Sequence, residues 1–469
     1  MIVAAICSAG LSGMWRQGTR IRLMPAGDQP PTQPPPEPTL LKLARKKFAT
    51  LSRAEEELFR AAQEGTGASR LTGDEKEDNP ANAANWNADR VVRGECIAWL
   101  CTDAEASALV TYRGLQLYGM RIDSDLDFSN AEIKFPLKAW KCAFSENVSL
   151  QDAQLCGLYL VGCLIKSLNA DRAKIRGAVL LRNEFKAEGE VRLAGATIDG
   201  DLDCSGAQLS NAHGRALRAD GAKIGGSVLL MDGFTAEGEV RLVSTTIDGD
   251  LDCSGAQLSN AKGWALVANR AKIGGSVFLR NGFKAEGEVG LTGAAIGGDL
   301  DCSGAQLSNA KGWALSAGRM KVGSVFLRNG FRAEGEVRLA GATIGGNLDC
   351  AKAQFSNSSG RALAVEASKA LTVEASKIGG DVLFRDGFQA QGEVNLFGAT
   401  IRGLQIVKVL EAEQTILDLR LTEVGTFWDD EKSWPNAGNL FLDGFRYERL
   451  YEKSPLQADS RKKWLHRQP

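Results

Sequence analysis

The chain has 469 residues, 44% of them hydrophobic and 24% charged, with 56 basic residues against 57 acidic ones and a formal net charge of −1. That balance fits a folded chain and removes two simple readings, a basic nucleic-acid binder and a strongly acidic nucleic-acid mimic. Glycine, at 53 residues, exceeds its usual share, as expected of a chain built from many sharp corners.

Residues 1–14 are mildly apolar, but no basic residue precedes Ile2–Ile6, and Gly10 and Gly13 interrupt the run. A secretory signal wants a charged start, and the run is too short to cross a bilayer. Residues 25–38 hold seven of the twelve prolines, so residues 1–38 are expected to be a disordered, proline-rich lead with a stiff spacer.

Residues 39–107 read as a small helical N-terminal cap. Ser52-Arg-Ala-Glu55 is a capping box, Leu58, Phe59 and Ala62 share one face, and Gly65 stops the helix. Asn87 is expected to cap a second helix through about Leu100, with Val91, Val92, Cys96 and Trp99 on its buried side. Open solenoid ends expose strand edges, so these helices should cover a first turn at residues 108–122.

Residues 108–447 are organised by a repeat. Ile198-Asp-Gly-Asp-Leu-Asp-Cys-Ser-Gly-Ala-Gln-Leu209 returns at residues 247–258 and 296–307, and again, degraded, at 344–355. Cys204, Cys253, Cys302 and Cys350 recur at a near-constant interval, a period of roughly 49 residues that is the signature of a solenoid. Short alternating runs such as Leu202-Asp-Cys204 and Val228-Leu-Leu230, bounded by glycine, argue strands, and the frequent glycines exclude helices. Two coils satisfy the period: two large turns of roughly 24 residues, as in a right-handed parallel β-helix, or smaller and squarer turns. The even alternation of Leu/Cys and Val/Leu runs favours two turns per copy, hence roughly 14 turns and a rod on the order of 65 Å at the usual strand spacing. A duplication, residues 363–370 repeated at 371–378, predicts a bulged corner. Residues 448–469 read as a polar tail in which Asp459 or Ser460 caps a short helix at 461–467.

Leu193 then Ile198, and Cys204 then Leu209, echo each other at a pentapeptide interval. Residues 113–122 and Leu126-Asp-Phe-Ser-Asn-Ala-Glu-Ile133 resemble the opening turn of an uncharacterised group of bacterial pentapeptide-repeat-like β-solenoid proteins. Trp434-Pro and residues 442–447 resemble its closing turn, so the likeness covers roughly residues 50–469. The resemblance implies an all-β chain, a parallel β-helix or solenoid of pentapeptide-like or right-handed coil behind a small helical cap. Members are sometimes labelled membrane-associated oxidoreductases. The residues here do not support that label: Gly65-Thr-Gly67 follows a helix and lacks the third glycine of a dinucleotide loop, and no phosphate-cradling lysine loop occurs.

Ten cysteines invite metal or redox chemistry, yet the slot of the aligned four is held by Phe128 and Ile406 elsewhere, so the thiols read as packing. Two turns apart they would lie about 9.6 Å from one another, beyond disulfide reach. Unpaired thiols favour a reducing, cytoplasmic setting. The two histidines, His213 in a turn and His466 in the tail, leave no imidazole site. Carboxylates form two outward columns, Asp203, Asp252, Asp301 and Asp349, and Glu190, Glu239, Glu288, Glu336 and Glu393. Lys174, Lys223, Lys272, Arg192, Arg241 and Arg338 run beside them, which suggests a charge-balanced face without a privileged acid–base pair. Trp264 and Trp313 align, with Arg215 in their place one copy earlier. No catalytic, cofactor or metal residue is assigned. The expected function is a non-enzymatic scaffold or interaction solenoid with a protein partner and no nucleic acid. Its rivals are a carbohydrate-active β-helix enzyme and a membrane-associated protein.

Overall fold

In each alternating run one side chain in two points inward. Leu202 and Cys204, Val228 and Leu230, and Val240 and Leu242 are all 0% exposed in the computed structural model, which describes residues 37–364 and 376–469. The proline-rich lead and most of the duplicated segment, with its expected bulged corner, lie outside the described residues. Leu202 pairs in parallel with Val228, and Val228 with Leu251, so one copy makes two turns, a longer one from 202 to 228 and a shorter one from 228 to 251. A turn consists of four short strands, for example Lys174–Ile175, Val179–Arg182, Lys186–Ala187 and Val191–Arg192. The two coils left open by the sequence therefore merge: the turns are as large as those of a two-turn copy and are also four-sided. About 14 of them stack, joined by parallel ladders of 26 and 19 strands.

From Leu202 onward every second turn is longer for a specific reason. Its third and fourth strands fuse into an 11-residue strand, at Gln208–Arg218, Gln257–Val267, Gln306–Ser316 and Gln354–Ala364. Ser210 faces Glu237 and Arg215 faces Glu239, so five steps on one strand oppose two on the next and the excess bulges outward. An asparagine closes each bulge: Asn211 Nδ2 donates to the Arg215 carbonyl at 2.9 Å, Asn260 to Trp264 at 2.8 Å, and Asn309 to Trp313 at 2.9 Å. Beneath the first bulge Gly238 has φ +116°, and a Cβ there would fall 2.4 Å from the Asn211 carbonyl oxygen. That position requires glycine.

The ends are covered. At the N-terminal end helices α1 (Thr39–Lys47), α2 (Arg53–Glu64), α3 (Gly94–Thr102) and α4 (Ala104–Ala108) close the core. The Ser52 capping box and the left-handed Gly65 form as expected. The second helix is corrected: Asn87 makes no side-chain cap, and Val91–Arg93 is a strand paired with Arg121–Asp123. Two adjacent β-branched residues favour the ladder over the helix, which starts only at Gly94. Ala68–Ser69 likewise pairs with Leu117 and Tyr118.

At the other end Arg446–Leu450 completes the last turn against Glu423–Asp429. The tail helix α5 (Ala458–Leu465) starts just before Asp459, after Gln457, and has no side-chain cap, which corrects the expected Asp459 or Ser460. It is held by its docking instead. Trp464 is 4% exposed with its ring 5.7 Å from Phe427, and Arg461 grips Asp429 through two nitrogens at 2.8 and 2.7 Å. Among the described residues no helix is long and apolar enough to cross a membrane.

Candidate functional site

The aligned cysteines are inward packing. Cys204, Cys253, Cys302 and Cys350 are fully buried, and Ile406, paired with Phe384 on the same ladder, is buried in their slot. The placing of Phe128 there is corrected: Leu126 pairs with Val148 on the opposite ladder, so Phe128 is buried in the slot of Leu150 and Leu193. Burial pushes the four thiols far above their ordinary range. Near the cap, burial together with the Glu55 charge raises the Cys96 thiol to about 12. Cys142 and Cys163 stack on neighbouring turns, since Ala143 pairs with Leu164. The two-turn period of the later copies hid that pair, because the early turns repeat singly, from Leu115 to Leu137 to Leu158. Among the described residues no three side chains gather as metal ligands. The His213 side chain lies outside the description, and His466 ends α5.

The aspartate column is less open than its alternation suggested. Asp203 and Asp349 are 6% and 5% exposed, covered by Arg182 at 3.1 Å and Arg328 at 2.9 Å. Burial pushes the Asp301 carboxyl up, but bonds from Ser303 and Arg280 hold it below the usual range. Asp203, Asp301 and Asp349 tie one turn to the next through Arg182, Arg280 and Arg328, whereas Asp252, with Met231 in the arginine's place, accepts from the Ser254 amide at 2.8 Å.

The glutamate column is not uniform, and here the structure departs furthest from the expected charge-balanced face. In the copy that begins at Ile198, Glu239 meets Arg241 at 3.1 Å and Arg215 at 3.5 Å, while Asp220 takes Arg218 at 3.0 Å and Arg241 at 2.8 Å. One copy on, Trp264, Val267, Asn269 and Gly290 replace Arg215, Arg218, Asp220 and Arg241. Only the glutamate remains, as Glu288. Its Oε1 is buried without a hydrogen-bond partner among the described residues. Burial raises its carboxyl to about 7, opposed in part by the neighbouring Ser316 hydroxyl.

Two concavities accompany these columns. A cleft of about 740 Å³ lies between the cap loop around Asp78 and corners at Lys141, Gly162 and Asn183. Asp78 itself is occupied, accepting from the Thr72 and Gly73 amides and pairing with Arg90 at 3.2 Å. A shallower groove of about 530 Å³ runs beside the bulges, where Ser210 donates to Glu237 at 2.9 Å and Ser259 to Glu286 at 3.2 Å. Its carboxylates repeat in equivalent settings, so no pair is set apart for acid–base work.

A stack of parallel four-sided turns, plugged at both ends by helices, makes this chain a β-solenoid. No family model, curated protein or solved structure matches it.

Proposed function

We propose that the chain is a non-enzymatic scaffold of the pentapeptide-repeat-like kind that presents one side of its rod to a protein partner in a reducing, cytoplasmic setting. The observation that carries this reading is the row of Asn-closed bulges. Each runs from an asparagine to a glycine, Asn211 to Gly214, Asn260 to Gly263 and Asn309 to Gly312, is fastened by its own hydrogen bond, and recurs every second turn about 9.6 Å from the next. A rigid row at fixed spacing suits a partner that is itself extended or repetitive, because ordering costs little on the scaffold side. The covered ends support the same reading, since they leave the long sides as the surface for contact. The described cysteines are free thiols, in keeping with the compartment.

The test is crosslinking and footprinting of the full chain in its native cell, alongside a variant in which the bulges at 211–213, 260–262 and 309–311 are trimmed. Loss of a protein partner from the trimmed chain, with the fold retained, supports the scaffold. A partner that binds both chains equally, or turnover of a polysaccharide by the purified chain, overturns it.

A further inference from the structure

Helices plug the core at both ends of the rod, but one backbone edge is left open. At the N-terminal end the ladders are covered: Ala68–Ser69 lies on Leu117 and Tyr118, and Val91–Arg93 on Arg121–Asp123. At the C-terminal end the tail ties down the loop before Leu440–Phe441, where the Gly438 amide donates to the Arg467 carbonyl at 2.8 Å. Arg446–Leu450 has no such cover. It pairs with Glu423–Asp429 on one side, and among the described residues no strand pairs with its outer edge. Trp464 of α5 packs on Phe427 and Phe445, and Arg446, Tyr447, Glu448 and Arg449 are all left exposed. Tyr447 continues the inward column of Val424, which is 3% exposed, yet Tyr447 itself is 40% exposed. The strand has neither a proline nor a bulge, two of the usual devices that keep such an edge from pairing.

We propose that the outer edge of Arg446–Leu450 receives an acidic, extended strand of a partner protein, which adds one more strand to the ladder on this side. A row of unpaired backbone amides and carbonyls is satisfied by another β-strand. The side chains then select which strand. Arg446, Glu448 and Arg449 give the edge a net positive charge. An incoming strand is favoured when it sets an acid beside Arg446, as Glu423 does from the inner side at 4.0 Å. Its next residue lies over the uncovered ring of Tyr447 and should be apolar, as Val424 is on the inner side. Basic strands are turned away by the same charges, and two copies of this edge repel each other. The inference rests on the scaffold reading only for the source of the strand, and its test does not need the partner.

The probe is a strand that this ladder already accepts on its other side: a capped, fluorescein-labelled peptide with the sequence of residues 423–429, titrated into the full chain. The expected result is saturable binding, with hydrogen exchange slowed at Arg446–Leu450 and unchanged around Leu251. The Glu423→Lys peptide binds about fivefold or more weakly, and Arg446→Glu in the chain reverses that preference. A reversal reads recognition and not folding, since each chain binds one of the two peptides. A fully N-methylated peptide has no backbone donor and does not bind. Equal binding of the N-methylated peptide, an unchanged preference in Arg446→Glu, or slowed exchange elsewhere on the rod would overturn the proposal. Concentration-dependent pairing of two chains through this edge would also overturn it, because the occupant is then a second copy. Peptide capture with no protein partner in the cell would sink the scaffold and spare the edge. A partner lost on trimming the bulges, with no peptide capture, would do the reverse.

Discussion

Replacing Asp429 with alanine tests how the rod is closed. Asp429 is 0% exposed and accepts from Arg461 through two nitrogens and from the Trp434 indole nitrogen at 2.8 Å. Removing it leaves a guanidinium that is only 14% exposed without its counter-charge. Breaking a buried pair from one side costs about 3–5 kcal/mol, because the remaining charge is stranded. In a stack whose turns touch only their neighbours, that loss appears where it is made. Helix α5 lifts, Trp464 leaves Phe427, and the last turns fray. Native-state hydrogen exchange should show amides of Glu423–Asp429 and Arg446–Leu450 exchanging faster by at least about 100-fold, from about 3 kcal/mol at roughly 1.4 kcal/mol per decade. The ladder around Leu251 should be unchanged. Uniform acceleration along the rod, or none at the end, would refute this account of the lid. Asp429→Asn, which keeps the shape and removes the charge, provides the same reading if the alanine variant does not accumulate.

Other outcomes follow from single residues. The Glu288 carboxyl sits at about 7 against an ordinary 4.5, so between those values the folded chain holds a proton that the unfolded chain has released. Stability from this group falls as pH rises across that window and stays low above it; Glu288→Gln should have a higher Tm than the parent at about pH 8, with the gap closing near pH 4.5. Gly238→Ala should cost well over the roughly 1–2 kcal/mol of a left-handed non-glycine residue, since its Cβ meets the Asn211 carbonyl. Gly233→Ala, at φ +89° with nothing within 4 Å, should cost only that, and urea unfolding separates the two. Cys302→Ser places a hydroxyl in a dry slot and should destabilise by about 1–3 kcal/mol more than loss of packing alone, so it should be worse than Cys302→Ala. The parent thiol should resist aromatic disulfide reagents until the rod unfolds.

Much of the rod was legible in the sequence because a solenoid writes its period into every turn. The regular spacing of Cys204, Cys253 and Cys302 set the period, the even alternation of Leu/Cys and Val/Leu runs set two turns per copy, and Ile406 marked the cysteine slot as packing. Phe128, matched by its local motif, sits on the opposite ladder, because a short motif does not say which side of the turn it occupies. The misreadings lie where the repeat gives out. Val91 and Val92 fit a helical face as well as a strand, and only the free edge at Arg121–Asp123 decides between them. Helix α5 carries one buried aromatic residue among polar ones, so its anchoring to the distant Asp429 left no periodic trace. The special standing of Glu288 was half visible. The exchange of Arg215 for Trp264 could be read directly, but not that the same turn also loses Arg218, Asp220 and Arg241 around one carboxylate. That takes the register between turns, which aligned cysteines supply only every second turn.

The inequality of neighbouring turns has a consequence for how such a chain can change length. The longer turn carries a bulge and its neighbour carries the glycine that accommodates it, so the two are complementary halves. Excising residues 251–299 would splice like to like and leave a shorter rod with every ladder intact. Excising one half would seat a protrusion against another protrusion. Through the bulged stretch the gene can therefore lengthen or shorten only by the pair, and a designer cutting the rod there inherits the same quantum. The single turns from Leu115 to Val179 can instead be removed one at a time.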